Sequence, residues 1–327
     1  MAGAWVADIL GEPFEQLTLD LGEDAEGPVV ATLVRSLPHA ALLKPLADVD
    51  VLYVHGWSDY FFQRELARFW NHLGARFYAL DLRKYGRSLR AGQTPGYVTS
   101  LDEYDGDIGA ALAAIAATGA HRGARRLVLM GHSTGGLTLS LWAARHPGQA
   151  AALVLNSPWL ELQTGAIGRQ AIAPLVAARA RFDPLGAHPV VDLGFYTRAQ
   201  AALGTLPESP TDPQPWRPAR GFPTHPGWLA AVMKGHASVA AGLEIDWPVL
   251  ILLSRGSTPP VQWADAMTST DSVLVVDDIA RAATRLGGLV TVARIPDAIH
   301  DVFLSAPEAT SAAYDALREW SLRGALA

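Results

Sequence analysis

The hexapeptide Gly131-His132-Ser133-Thr134-Gly135-Gly136 sets a serine between glycines two residues before it and two residues after it. It follows the apolar run Leu127-Val128-Leu129-Met130 and precedes a stretch of helical spacing from Leu137 to Ala144, so the order is strand, sharp turn, helix. Only small residues at the two flanking positions allow so tight a turn, and Gly131-x-Ser133-x-Gly135 in that setting is a nucleophile elbow. The serine hydroxyl then stands at the carboxyl end of a strand with a helix N-terminus behind it, where developing negative charge is favoured. A phosphate-binding turn is the competing reading, but no Gly-Lys-Ser/Thr sequence follows.

A serine hydroxyl at neutral pH needs a base within hydrogen-bond reach, and the base needs an orienting carboxylate. In enzymes built on this turn, the chain order is serine, acid, histidine. His300 suits the base, because it lies in Ile299-His300-Asp301 just past the apolar run that ends at Ala293. The other histidines fit less well: His121 and His146 fall at helix ends, His188 precedes a proline, His225 and His236 lie in a different region, and His132 is the elbow's own packed neighbour. The acid should follow the run Val249–Leu253, yet Ser254-Arg255-Gly256-Ser257 holds none. Residues 255–270 read as an insertion that displaces the acid to Asp271, with Asp265, Asp277 and Asp278 as alternatives. An oxyanion hole needs two backbone N–H groups. The residue after the nucleophile, Thr134, supplies one, and Trp57 in His55-Gly56-Trp57 supplies the other. The charged segment Asp81-Leu82-Arg83-Lys84-Tyr85-Gly86-Arg87-Ser88 reads as loop structure rather than as an anion site.

These residues require a scaffold that brings distant loops to one edge. Residues 14–19 alternate with period two and residues 29–34 are mostly apolar, with turn residues between them, which predicts an antiparallel hairpin. Apolar runs at 51–54, 77–80, 127–130, 152–155 and 249–253, and a strand-like stretch at 289–293, then alternate with helical spacing at 63–73, 104–117, 137–145, 276–286 and 307–322. Apolar strands alternating with helices indicate a parallel sheet buried on both faces. Between Leu155 and Pro248 the rhythm stops, leaving helical fragments and a Pro-rich tract from Pro207 to Pro226. An interruption of about 80 residues is longer than an ordinary loop. It enters past a strand's carboxyl end, where ligands bind in open α/β sheets. We therefore expect a core over 1–159 and 245–327, with a cap or lid over 160–244.

The chain has 327 residues, a net charge of −6 and no cysteine, which leaves no basis for a nucleic-acid surface, a thiolate nucleophile or a cysteine-ligated metal. Its N-terminus has no basic, apolar leader, and no apolar run is long enough to span a bilayer. A cytoplasmic protein without stable membrane insertion is expected.

The set His55-Gly56-Trp57, Asp81 to Ser88, Gly131 to Gly136 and His300-Asp301 resembles an α/β-hydrolase, and is most similar to the monoacylglycerol lipase / lysophospholipase branch grouped with serine aminopeptidase-like hydrolases. The resemblance covers about residues 27–160 and 245–322 and not the cap. It implies an α/β fold with an eight-stranded, mostly parallel sheet, no cofactor and no metal. It also implies a triad of Ser133, Asp271 and His300 with oxyanion donors Trp57 and Thr134. The expected activity is hydrolysis of a small or medium lipophilic carboxylic ester through an acyl-enzyme. Tyr60, Phe61 and Trp159 are expected to line an apolar pocket, unless they belong to the core. Two alternatives stay open: an aminopeptidase-type amide hydrolase, and a catalytically silent small-molecule-binding homologue. An Asp-nucleophile dehalogenase or epoxide hydrolase does not fit a serine at 133.

Overall fold

The computed structural model describes residues 3–39, 43–118, 125–186, 192–212 and 214–326; His121 and His188 lie outside the described residues. The strands are β1 (Val6–Ala7), β2 (Glu15–Asp24), β3 (Gly27–Ser36), β4 (Val49–Val54), β5 (Arg76–Asp81), β6 (Arg126–His132), β7 (Ala152–Asn156), β8 (Val249–Ser254) and β9 (Val290–Ile295). The helices are α1 (Arg64–His72), α2 (Tyr104–Ala117), α3 (Thr134–Arg145), α4 (Gly165–Phe182), α5 (Phe195–Leu203), α6 (Pro226–Ala241), α7 (Val276–Ala283) and α8 (Pro307–Trp320).

All strands join one sheet in the order β1-β2-β3-β5-β4-β6-β7-β8-β9. From β5 to β9 every pairing is parallel, whereas β1, β2 and β3 extend the sheet antiparallel at one edge. The expected count of eight strands becomes nine among the described residues. The extra strand, Val6–Ala7, is two residues long and exposed, so neither alternation nor an apolar run could signal it.

Side chains alternate across the sheet. Leu52 and Val54 face one layer with Leu129, Leu137 and Trp228. Val51 and Tyr53 face the other with Phe61, Trp70 and Leu317. Two apolar layers flanking a parallel sheet explain why β4, β5, β7 and β8 are buried at every residue. Three helices, α4, α5 and α6, lie between β7 and β8, where the strand rhythm stops. Proline at the N-terminus of α6 and of α8 suits the first turn, which needs no N–H.

The charged segment after β5 is structural, as its sequence suggests. The Arg87 guanidinium pairs with Asp8 at 2.7 Å and Asp81 at 2.8 Å, with all three side chains nearly water-free. Asp81 also accepts N–H bonds from Phe61 (2.8 Å) and Arg87 (3.0 Å). Gly86 takes φ +44°, and a side chain there would fall on Tyr60. Arg83 pairs with Asp107 at 2.6 Å, and Lys84 with Asp24 and Glu26 at 2.6 Å each.

Two expectations follow. Replacing Arg87 with Met strands two buried carboxylates, so chemical denaturation should show a loss of about 3–5 kcal/mol, the usual cost of breaking a buried pair from one side. Burial pushes the Asp24 and Glu26 carboxyls up, but bonding to the Lys84 ammonium outweighs it and holds both below their ordinary values. That stability is present above the unfolded carboxylate values of about 3.9–4.3 and is lost as pH falls below them through the lower folded-state values. Melting temperature against pH should therefore drop less steeply below about pH 4 in Lys84→Met than in the wild type.

Candidate active site

β6 ends at His132 and α3 begins at Thr134, so Ser133 alone makes the turn, with φ 51° and ψ −116°. A non-glycine residue rarely holds that conformation. The neighbouring glycines permit it by close approach. A Cβ on Gly131 would lie 2.7 Å from the Gly135 carbonyl oxygen, and one on Gly135 would fall on the His55 carbonyl. Hydrogen bonds then hold the turn: Ser133 N–H donates to the Asn156 carbonyl (3.0 Å), and the Ser133 carbonyl accepts from Trp159 N–H (2.9 Å) and Leu137 N–H (3.2 Å).

His300 lies in the loop between β9 and α8, and its Nδ1 is 2.9 Å from Asp271 Oδ2. An ionised carboxylate can only accept, so Nδ1 carries the proton and Nε2 is left as the acceptor. The other Asp271 oxygen accepts from Val273 N–H (2.7 Å) and Leu274 N–H (2.8 Å), in a position with no exposure to solvent. The ring of His132 lies 4.9 Å from that of His300, which sets His300 beside the elbow.

Residues 258–270 leave and rejoin at one point, and this brings Asp271 to the end of β8. Asp271 N–H donates to the Gly256 carbonyl (3.0 Å) and Thr258 N–H to the Asp271 carbonyl (2.9 Å), making a parallel bridge between Ser257 and Asp271. The neck is closed further by the Thr258 and Thr270 hydroxyls at 2.7 Å. The alternative acids sit elsewhere: Asp265 accepts from the Trp263 indole, Asp277 pairs with Arg294 and Asp278 with Arg281.

Gly56 passes directly over the elbow, since a Cβ there would be 3.0 Å from Ser133 Cβ. The next N–H, that of Trp57, makes no hydrogen bond among the described residues. Thr134 opens α3, where N–H groups lack intrahelical acceptors. His55 ties this loop down: its Nδ1 is 2.7 Å from the Gly56 carbonyl, and its Nε2 accepts from Leu82 N–H at 3.2 Å.

The three expected pocket residues separate. Trp159 is at the elbow, bonded to Ser133. Tyr60 donates to the Glu208 carbonyl (3.2 Å) and packs edge-on against Trp216, with no contact to the triad residues given by these bonds. Phe61 is corrected to a core residue. It is fully buried against Phe14, Tyr53 and Phe77 in the layer under the sheet, while its neighbour Tyr60, also buried, turns toward Trp216. Aromatic residues from the 160–244 region complete the surroundings. Trp228 packs on Trp57 with ring centroids 3.7 Å apart and planes tilted by 35°, Phe222 meets Trp57 edge-on at 6.0 Å, and Tyr196 meets His300 edge-on at 5.5 Å.

Two positions escaped the sequence reading. Asn156, at the end of β7, has no exposure to solvent. Its carbonyl accepts from Ser133 N–H (3.0 Å), while its side-chain amide donates to Asp301 Oδ1 (2.7 Å) and its amide oxygen accepts from Val302 N–H (3.2 Å). It links the elbow to the loop that carries His300. An asparagine closing an otherwise apolar strand was the available signal. His236, set aside as belonging to the cap, reaches the Trp159 carbonyl with Nε2 at 2.9 Å. His132 is packed as expected, with Nδ1 3.1 Å from the Asn156 carbonyl and burial pushing its imidazole below the ordinary value.

Besides Asp271 and Asp301, which accepts from the Asn156 and Gln63 amides, two carboxylates near the site each have an arginine: Asp59 pairs with Arg217 at 3.0 Å and Glu161 with Arg169 at 2.7 Å. Among the described residues no group of three or more His, Asp or Glu could hold a metal ion, and no helix is long and apolar enough to cross a membrane.

Comparison with known proteins bears on this geometry. A curated monoacylglycerol lipase of Mycolicibacterium smegmatis is 32% identical over 138 residues, which is 40% of this chain and 43% of that protein, so the match spans under half of the relative's length. The crystal structure of the Paleococcus ferrophilus monoacylglycerol lipase aligns with a TM-score of 0.63 at 21% identity, over 84% of this chain and 94% of that one. A soluble variant of the Saccharomyces cerevisiae monoglyceride lipase, bound to a substrate analog, aligns with a TM-score of 0.65 at 16% identity, over 98% and 97% of the two chains. At such identities the two structures establish a shared fold. Residues 47–255, running from just before β4 to just past β8, match the family described as serine aminopeptidase, S33. With that match covering more than half of a chain whose sheet and elbow have just been described, the protein belongs to the serine aminopeptidase S33 family of α/β-hydrolases.

Proposed function

We propose that this α/β-hydrolase is a serine-dependent carboxylic ester hydrolase that acts on a small or medium lipophilic ester, such as a monoacylglycerol-like substrate. The observation that carries the reading is the 2.9 Å bond from His300 Nδ1 to a buried Asp271 beside the strained elbow serine. That bond leaves Nε2 as the lone-pair nitrogen, the tautomer a general base requires.

In the proposed mechanism His300 takes the Ser133 proton as the hydroxyl attacks the ester carbonyl. The oxyanion is held by the N–H groups of Trp57 and Thr134, which have no competing partner to surrender. The imidazolium is stabilised by Asp271 and gives its proton to the leaving alcohol. Water then repeats the sequence on the acyl-enzyme. Residues 160–244 act as a cap, and its aromatic side chains Phe222 and Trp228 against Trp57 support an apolar acyl site.

An aminopeptidase would need a carboxylate free to bind the substrate's ammonium group. Asp59 and Glu161 are each neutralised by a buried arginine, which favours the ester.

Hydrolysis of p-nitrophenyl esters from two to sixteen carbons checks the reading. Ser133→Ala should abolish turnover, and Asp271→Asn should lower kcat by roughly three to four orders of magnitude with KM changed only a few-fold, because the imidazole loses its tautomer and not its substrate. Turnover that survives Ser133→Ala would exclude the acyl-enzyme. A wild type that binds esters without turning them over would identify a silent binding homologue.

A further inference from the structure

Helix α6 buries one row of side chains, Trp228, Val232, His236 and Val239, at the spacing of a single helical face. Leucine at 236 would suit that apolar row better than a histidine with no exposure to solvent. Burial pushes this imidazole down to about 4, so at neutral pH it is uncharged. Its Nδ1 has no hydrogen-bond partner among the described residues, which is a cost, and its Nε2 makes one bond, to the Trp159 carbonyl at 2.9 Å. Trp159 in turn donates its N–H to the Ser133 carbonyl at 2.9 Å. Trp159 is thus held at both ends: by the nucleophile's own backbone on one side and by His236 on the other.

The strap that contains Trp159 lies outside regular secondary structure, and its first residue is tied to β8 by Ser157 N–H donating to the Leu252 carbonyl (2.8 Å). Ser157 takes φ +44°, and the chain from Ser157 to Leu160 lies between β7 and α4 without belonging to either. Helix α6, by contrast, is firmly seated. A Cβ on Gly235 would come within 3.0 Å of the Leu101 and Leu141 side chains and 3.4 Å of Leu137, so α6 packs closely on α3, the helix that starts at the elbow. His236 therefore adds a tie from a closely packed helix to the Trp159 end of the strap, the residue whose N–H bonds the serine.

We infer that His236 is a positioning residue of the hydrolytic site: its Nε2–H fixes Trp159, and through Trp159 the backbone of Ser133, which makes α6 part of the catalytic frame. The inference rests on Ser133 being the nucleophile. It differs from a packing role, because a packing role is satisfied by any side chain of the right volume, whereas positioning requires a donor that reaches the Trp159 carbonyl.

The test compares the wild type with His236→Leu and His236→Gln. Sites are counted by covalent titration with a fluorophosphonate, and kcat and KM are measured per titrated site on the preferred p-nitrophenyl ester. His236→Leu should lower kcat per site by about ten- to a hundred-fold, the range expected of a small misplacement of a reacting group, with KM within about two-fold. His236→Gln, which keeps an N–H at similar reach, should recover kcat to within about three-fold of the wild type. Should His236→Leu not fold, His236→Asn, too short to reach, replaces it in the comparison with His236→Gln. Equal kcat per site in wild type and His236→Leu, equal losses in the donor and non-donor variants, or a change confined to KM would each overturn the inference. A wild type that neither labels at Ser133 nor turns over ester would instead remove the reading of the site on which the inference stands.

Discussion

Ser133 holds a backbone conformation that costs on the order of 1–3 kcal/mol outside a supporting structure. Every element around it can be understood as meeting that cost. β6 and α3 meet at one residue because glycines 131, 135 and 136 let backbone and Pro158 come closer than any side chain would allow. β7 contributes the Asn156 carbonyl, and the segment beyond it contributes the Trp159 N–H. The parallel arrangement matters here: β7 lies beside β6 in register, His132 opposite Asn156, so its last residue arrives level with the elbow.

The same register couples the elbow to the loop that carries His300. Asn156 donates to Asp301 and accepts from Val302, the two residues that follow His300, while its carbonyl holds Ser133. A shift of one strand end would move Ser133 and His300 together. Gln63 also donates to Asp301, at 2.6 Å, so the loop bearing His300 is anchored from the first parallel crossover as well as from β7. His55 performs a comparable service on the opposite side, spanning the Trp57 loop and the turn after β5 with its two ring nitrogens.

Charge is used in this region almost entirely for architecture. Asp8, Asp81 and Arg87 form one buried cluster, Asp59 and Arg217 join the Trp57 loop to the segment before α6, and Glu161 and Arg169 join the start of the 160–244 region to α4. Around the elbow itself the side chains contributed by that region are aromatic: Tyr196, Phe222 and Trp228. A site walled this way strengthens any electrostatic interaction within it, because little water remains to screen it.

Local pattern in the chain determined the elements that follow short-range rules. Among the described residues, mainly apolar runs of four to six residues marked seven of the nine strands and alternation an eighth, glycine spacing marked the elbow, and the Ser-Asp-His order marked the loops beyond β8 and β9. Two-residue β1 carries no period, so it was invisible. Phe61 was misplaced for a related reason: adjacent aromatic residues in a loop have no fixed alternation, and only the packing of Phe14, Tyr53 and Phe77 decides which of them turns inward. Asp271 was legible as a displaced acid, but its meeting with His300 depends on the bridge between Ser257 and Asp271, a pairing formed across a 13-residue excursion, residues 258–270. Asn156 and His236 act through hydrogen bonds to residues far away in sequence, Asp301 and Trp159. Spacing along a chain reports the faces of helices and strands; which buried donor finds which acceptor is decided only when those faces pack, and that is where tertiary structure, not sequence, assembled this site.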